Sequence, residues 1–191
     1  MQAIRHMAGH HDVELVALAT AGDRAAFGEL VRRHGSAVRG LLRRMGAEPS
    51  LADDLAQDAF LTAFERIVEF RGEGTFSAWV RKIAARLYVR RWRKDMRLDV
   101  LDGSHEEEVA GGEGAAASRI DLDGALKTLS ATERMCISLC YGAGLSHAEA
   151  AEALNAPLGT VKSHVKRGLD KLRERLAPQA AEHGAGSMAH G

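Results

Sequence analysis

Residues 53–95 read DDLAQDAFLTAFERIVEFRGEGTFSAWVRKIAARLYVRRWRKD, and the sign of their charge reverses halfway along. In the first half, Asp54, Asp58, Leu61 and Glu65 are spaced four, three and four residues apart. Residues at these spacings share one face of an α-helix. The stretch therefore begins with a predicted helix whose exposed face is acidic and carries a single leucine.

The second half of the stretch is basic, since no acidic residue occurs between Ser77 and Lys94. On a helix, its residues form an apolar stripe beside a basic stripe. The apolar stripe contains Phe76, Trp79, Val80, Ile83, Ala84 and Leu87, and the basic stripe contains Lys82, Arg86, Arg90 and Arg93. We expect the basic side to meet phosphate, with Trp79 at the border, where a base could stack. A solvated basic face is the alternative interpretation.

A short loop at residues 69–76 connects the two predicted helices. Gly72 and Gly74 allow a tight backbone in this loop, while Phe70 and Phe76 favour burial. We therefore expect an ordered loop beside the basic helix.

The segments DLAQDAFLTAFERI and FRGEGTFSAW, between Asp54 and Trp79, resemble region 2 of bacterial RNA polymerase sigma factors of the extracytoplasmic-function class. In that family the acidic helix docks on the clamp helices of the largest polymerase subunit. The resemblance implies a docking set of Asp54, Gln57, Asp58, Leu61 and Glu65. It also implies that the loop and the basic helix capture the opened proximal (−10) promoter element, with a flipped base in the loop. The implied contacts are Phe70, Arg71, Gly72, Phe76, Trp79, Lys82, Arg86 and Arg90.

Capping residues predict where the helices of this first domain begin. The expected caps are Asp12, Asp23 and Ser50, for helices that end at Ala19, at Gly46 and before the loop. Asp53 is expected in the first turn of the acidic helix, where its charge favours the helix dipole.

The second half of the chain carries the pattern of a helix-turn-helix. Two capping boxes, at residues 130–133 and 146–149, start two helices. A tight turn at residues 155–159 separates the second of these from a last helix, which is expected to start near Thr160 and to end near Leu176.

The last helix has an apolar side and an outward polar side at its N-terminal half. This segment resembles sigma region 4, which reads the distal (−35) promoter element in the major groove. The resemblance, with Thr160 as the cap, implies that the DNA-binding residues are Thr160, Lys162, Ser163, His164, Lys166 and Arg167.

Composition indicates an all-α protein of two small helical domains. The 191 residues include three prolines, few aromatic residues and no alternating strand pattern. The 26 basic and 26 acidic side chains cancel, so the segregation of charge, not its total, indicates the partners. We expect domains at 12–95 and 121–177, a flexible acidic linker at 96–120 and a disordered tail at 178–191.

Neither a leader-like start nor a long apolar stretch is present, so the sequence predicts a cytoplasmic protein. Cys136 and Cys140, four residues apart, are interpreted as a buried pair rather than as a redox or metal site. The histidines at the two ends, His6, His10, His11, His183 and His190, support metal capture only weakly.

The leading hypothesis is a sigma factor, which has no catalytic activity and needs no cofactor. Its implied partners are core polymerase, through the clamp helices and the flap, double- and single-stranded promoter DNA, and an anti-sigma factor, without direct membrane insertion. One alternative is an autonomous helix-turn-helix regulator, although no dimerisation helix is evident. A metal-dependent enzyme is the other, although no HExxH or paired CxxC motif occurs.

Overall fold

The computed structural model describes the backbone of residues 9–102 and 122–176, and these segments are helical without any strand. The elements are α1 (Asp12–Thr20), α2 (Arg24–Met45), α3 (Pro49–Glu65), a 3₁₀ turn (Ile67–Glu69), α4 (Phe76–Asp102), α5 (Leu122–Lys127), α6 (Ala131–Ile137), a π turn (Ser138–Gly142), α7 (His147–Leu154) and α8 (Leu158–Leu176). The all-α prediction is confirmed. No helix in the described part of the chain combines the length and the hydropathy that a membrane span requires.

The predicted cap of the first helix is wrong, whereas that of the second is confirmed. Asp12 is itself the first residue of α1, and its carboxylate binds the Nε2 atom of His34 at 2.7 Å. Asp12 thereby joins α1 to α2 instead of capping its own helix. Asp23 caps α2 as predicted, because its Oδ1 atom accepts hydrogen bonds from the backbone N–H groups of Ala25 and Ala26.

The predicted start of the acidic helix is wrong as well. α3 begins at Pro49, so Ser50 lies inside the helix and Asp53 lies beyond its first turn. Proline suits the first helical position because its φ is already fixed near the helical value and its missing N–H would have no partner there. Asp53 instead lies 3.6 Å from the guanidinium of Arg39 on α2.

The last helix of the first domain is longer than predicted. α4 continues to Asp102 and so extends into the segment that the sequence assigns to the linker. Neither glycine nor proline interrupts the chain before Gly103, so nothing ends the helix at residue 95.

The helix-turn-helix has the predicted capping boxes but a different start of its last helix. Ser130 and Ser146 each accept the predicted hydrogen bond from the third residue of their helix. α8 begins at Leu158, so Thr160 is not its cap, and the backbone N–H of Thr160 donates to the carbonyl of Pro157. Asn155 ends α7 in the left-handed region, with a φ of 53°.

One continuous apolar core joins the two halves of the described chain. It contains residues of α1 to α4, such as Leu30, Leu42 and Val80, together with Cys136 and Leu139 of the second domain. A smaller cluster of Ala125, Leu126, Leu129, Ile137 and Leu172 holds α5 and α6 against α8. The domains are thus packed together rather than held apart.

A buried carboxylate on α2 forms ion pairs with two arginines of the same helix. Glu29 is 2% exposed, and its two oxygens accept bonds of 2.6 to 2.7 Å from Arg32 and Arg33. These hydrogen bonds lower the pKa of Glu29 from 4.5 to about 2. The folded state favours the ionised carboxylate of Glu29 more than the unfolded state does. The ionised carboxylate therefore stabilises the fold at pH values above its ordinary pKa of 4.5, and this contribution is lost as the pH falls towards 2.

We therefore expect the stability of the protein to fall between pH 4.5 and about pH 2, partly through Glu29. In Glu29→Gln this part of the pH dependence should disappear, although the variant should be less stable near neutral pH. Thermal unfolding measured across this window checks the prediction, with the exposed Glu174→Gln as the matched control. Parallel pH curves for the wild type and Glu29→Gln would contradict it.

Candidate docking face and nucleic-acid interfaces

The acidic face of α3 is exposed along its length. Asp54, Gln57, Asp58 and Glu65 all point to solvent, and Leu61 leaves 54% of its surface uncovered. An apolar side chain ringed by carboxylates is typical of a protein docking site, where apolar contact anchors and charge orients the partner. The structure thus brings together the five residues of the predicted docking set.

A groove of about 930 Å³ between α2 and α3 adjoins this face. Its floor is apolar, formed by Phe27, Val31, Phe60, Leu61 and Phe64, and its rims carry Arg24, Arg39 and Arg43 opposite Asp53 and Gln57. The sequence analysis did not predict the α2 side of this groove, to which Phe27 and Val31 contribute. The signal available was their spacing of four residues on the helix that precedes the acidic one.

The loop before α4 is built around an aromatic cluster. Gly72 and Gly74 have φ values of 75° and 93°, which residues with a side chain rarely adopt. The rings of Phe70 and Trp79 lie with their centroids 5.4 Å apart, and that of Phe76 lies 6.0 Å from Trp79. Trp79 is half-buried, so part of its ring remains available at the surface.

Phe76 departs from its predicted role in binding DNA. Its side chain is 2% exposed and packs edge-on against Phe27 and Phe70, so it supports the loop from below. Arg71 and Gly72, by contrast, are exposed at the tip of the loop. The accessible candidates in this region are therefore Phe70, Arg71, Gly72 and Trp79.

The basic stripe of α4 continues from the loop, and Lys82, Arg86 and Arg93 of this stripe have partners in the second domain. Lys82 and Arg86 approach the same carboxylate oxygen of Glu149 on α7, at 3.4 and 3.9 Å. Hydrogen bonds from the backbone N–H and the hydroxyl of Ser146 lower the pKa of Glu149, and the charge of Lys82 lowers it further. Arg90, between Arg86 and Arg93 on the stripe, is exposed.

The outward side of α8 matches the prediction, apart from the cap. Lys162 and Lys166 are exposed one turn apart, and Arg167 lies 3.1 Å from the Nδ1 atom of His164. The hydroxyl of Ser163 donates to the carbonyl of Gly159 at 2.9 Å, which leaves its lone pairs free to accept a hydrogen bond. Cations at this spacing on a helix-turn-helix can reach base edges and phosphates.

Cys136 is fully buried but Cys140 is only partly buried, so the buried pair that the sequence predicts is confirmed for Cys136 alone. Both are free thiols, and burial raises the pKa of Cys136 to about 11, so it carries no thiolate near neutral pH. Within residues 9–102 and 122–176, no group of His, Cys, Asp and Glu side chains is placed to hold a metal ion. His6, His183 and His190 lie outside those segments.

Two protein-family models match this chain, in the order that the two domains predict. The model of Sigma-70 region 2 matches residues 30–98, and the model of Sigma-70 region 4 matches residues 125–174. The first match contains α3, the loop and the basic stripe, and the second contains the helix-turn-helix.

Several known sigma factors are similar to this chain. It is 34% identical over 173 residues to the ECF RNA polymerase sigma factor SigE of Mycolicibacterium smegmatis, which covers 84% of this chain and 66% of that protein. It is 32% identical to the RNA polymerase sigma factor NccH of Alcaligenes xylosoxydans xylosoxydans, over 86% of this chain and 94% of the relative. The chain thus spans slightly less than two thirds of SigE but nearly all of NccH.

Two solved structures have a similar fold at 28% sequence identity. The complex of CnrH with the cytosolic domain of CnrY matches with a TM-score of 0.52, over 86% of this chain and 96% of the other. The complex of the sigma factor RpoE with the anti-sigma factor NepR from Bartonella quintana matches with a TM-score of 0.54, over 80% and 98%. Because full-length relatives and both sigma regions match, this chain belongs to the extracytoplasmic-function sigma factors of bacterial RNA polymerase.

Proposed function

We propose that this chain binds core RNA polymerase and directs it to a set of promoters, opening the proximal element with its first domain and reading the distal element with its second. The observation that carries the proposal is the segregation of charge between different helices. α3 exposes a carboxylate row, α4 exposes a cationic row beside aromatic side chains, and α8 exposes Lys162, Lys166 and Arg167. The role consists of binding, needs no catalytic residue and would be carried out in the cytoplasm.

The proposed polymerase contact combines the acidic face of α3 with the adjoining groove. The carboxylates of Asp54 and Asp58 would steer a basic surface into place, while Leu61 and the apolar floor of the groove would receive its apolar side chains. A docking site of this composition fits a helical partner with one apolar and one basic side.

The proposed contact with melted DNA follows the loop and the basic stripe. Phe70 and Trp79 offer partly exposed rings on which a base can stack, and Lys82, Arg86 and Arg90 offer cations for the adjoining phosphates. Arg71 and Gly72 at the tip of the loop leave room for a base that has left the stack.

Binding to the distal element should depend on two kinds of contact from α8, one to base edges and one to phosphates. Lys162 points outward near the start of the helix, so Lys162→Ala should relax base preference at one or two positions, at a cost of about 1 to 3 kcal/mol. Arg167→Ala should weaken binding to every sequence and reduce the salt slope by about one counterion. Binding to single-base variants of the distal element at several salt concentrations checks both. Equal, sequence-independent losses would remove Lys162 from the reading set.

An anti-sigma factor is a further proposed partner, since CnrH and RpoE were each solved as a complex and RpoE is bound to an anti-sigma factor. The α2–α3 groove of this chain has the apolar floor that an inhibitor helix would need. Affinity purification of the full chain under inducing and non-inducing growth would detect a stoichiometric second partner. Recovery of polymerase alone under every condition would count against this partner.

Transcription by purified core polymerase, with and without this chain, on a library of genomic fragments tests the proposed function. New start sites that require both core and the chain are expected. An autonomous regulator predicts a different result, because it would bind DNA without core and would not give core polymerase new start sites. The Asp54→Lys, Asp58→Lys variant is the matched negative control.

A further inference from the structure

A recess of about 320 Å³ lies between α2 of the first domain and α5 and α6 of the second. Its volume is at the lower end of the range of about 300 to 1,000 Å³ that is usual for small-molecule sites. Most of its polar lining is cationic and consists of Arg43, Arg44, Lys127 and Arg134, with Asp123 as the carboxylate among them. These five residues belong neither to the docking set nor to the two sets of DNA contacts described above.

The charges in this recess do not balance. Its carboxylate, that of Asp123, accepts a hydrogen bond of 2.8 Å from the Nε atom of Arg44. Within residues 9–102 and 122–176, the side chains of Arg43, Lys127 and Arg134 form no ion pair with a carboxylate. Three cations that line one recess repel each other unless an anion lies among them. The recess therefore has the electrostatic character of an anion site.

Arg134 is held in place by the end of α2. Gly46 ends that helix with a φ of 112°, and a Cβ atom at this position would lie 2.8 Å from the Nη2 atom of Arg134. Glycine thus lets the guanidinium approach the C-terminal end of the helix, where a cation is favoured. The Nε atom of Arg134 is buried and has no acceptor in the part of the chain that the structure describes. Because buried donors rarely lack a partner, this arginine keeps hydrogen-bonding capacity that the protein itself does not use.

We propose that this recess binds a small oligophosphate, either free diphosphate or the diphosphate of a nucleotide. Guanidinium groups bind pairs of phosphate oxygens, and the unbalanced cations suit a ligand with several negative charges better than one with a single charge. A nucleic-acid strand fits less well, because its backbone must run past a site in both directions, whereas helices of both domains bound this recess. The ligand would join the two domains, since α2, α5 and α6 all supply cations to it.

Calorimetric titration of the purified full chain with inorganic pyrophosphate, without magnesium, tests the class of ligand. We expect one equivalent to bind, at least tenfold more tightly than orthophosphate or sulfate at the same ionic strength. The thermal midpoint should rise with pyrophosphate concentration, because the site exists only in the folded chain. Absence of saturable binding, or binding no tighter than that of sulfate, would overturn the proposal.

Two substitutions of opposite sign test the site itself. Lys127→Gln removes an exposed cation of α5 and should weaken pyrophosphate binding about five- to tenfold. Asp123→Asn removes the carboxylate that competes for Arg44 and should tighten binding about two- to fivefold. Lys94→Gln, at an exposed position of α4 outside the recess, is the matched control and should bind as the wild type does. Equal affinities of Lys127→Gln and Lys94→Gln would contradict the site, as would weaker binding by Asp123→Asn.

Further ligands distinguish the sources of the phosphate. Tighter binding of ADP than of pyrophosphate would identify a nucleotide as the ligand, and weaker binding would identify the free ion; both results support an oligophosphate site. A single-stranded oligonucleotide of random sequence separates this site from the proposed DNA contacts, because Lys127→Gln and Lys94→Gln should bind it equally. If Lys127→Gln weakens binding of the oligonucleotide but not of pyrophosphate, the recess is a nucleic-acid contact and the proposal is overturned.

Discussion

Reversal of both Asp54 and Asp58 to lysine is expected to abolish stable binding of core polymerase, lowering the affinity by about 100-fold or more. Both carboxylates are exposed one turn apart on α3, on the side that carries Leu61. Two lysines would repel the basic surface of the partner. They would thereby prevent Leu61 from being buried against that surface. The affinity can be measured by titrating labelled core polymerase with the purified chain.

Two controls separate docking from folding and from net charge. Neither substituted side chain belongs to the core, so the helical circular dichroism and the thermal midpoint should stay near those of the wild type. Glu174→Lys changes the charge as much as Asp58→Lys does, but on α8, and it should leave core affinity unaltered. A folded double variant with wild-type core affinity would place the docking face elsewhere.

Replacement of both Arg86 and Arg90 by alanine should prevent promoter opening while leaving core binding intact. These two cations stand on the basic stripe, where a melted strand would bring its phosphates, and their loss removes about two counterion-releasing contacts. At moderate salt we expect roughly tenfold or greater loss of open complex. Permanganate reactivity of thymines in the non-template strand measures this directly.

Arg91→Ala is the matched control for that experiment. Arg91 is equally basic and exposed, but it lies outside the stripe and pairs with Asp95 along the same helix. Its removal should leave permanganate reactivity near the wild-type level. Normal opening by the Arg86, Arg90 double variant would rule out the stripe as the single-strand contact.

Most of the fold and of the candidate surfaces could be predicted from local patterns. The four-three-four spacing of Asp54, Asp58, Leu61 and Glu65 is sufficient to align them on a helix, and two capping boxes fix the starts of α6 and α7. Such signals are short in range, since each depends on atoms within one or two turns. These local signals therefore predict structure correctly without knowledge of the tertiary contacts.

The incorrect predictions have two causes. Some helices start at a neighbouring residue instead of at the predicted cap, and some faces are covered by the other domain. Pro49 precedes Ser50, and Pro157 precedes Thr160, so in both cases the helix starts before the polar residue that would have capped it. Burial on α4 is broader than the predicted stripe, since Tyr88 and Val89 are buried too, and Tyr88 approaches Gly46 beside Arg134 of the second domain. Periodicity in one helix shows that a face is apolar but not which distant element covers it.

The single core that runs through both domains makes the free chain behave as one cooperative unit. Leu139 of the π turn is completely buried in that core, far along the sequence from α2 and α4. A truncation such as Leu139→Ala would cost about 2 to 5 kcal/mol of folding free energy and lower the amount of folded protein as a whole. Genetic screens would then recover two classes of mutant: core changes that silence every promoter together, and surface changes whose defects depend on the promoter.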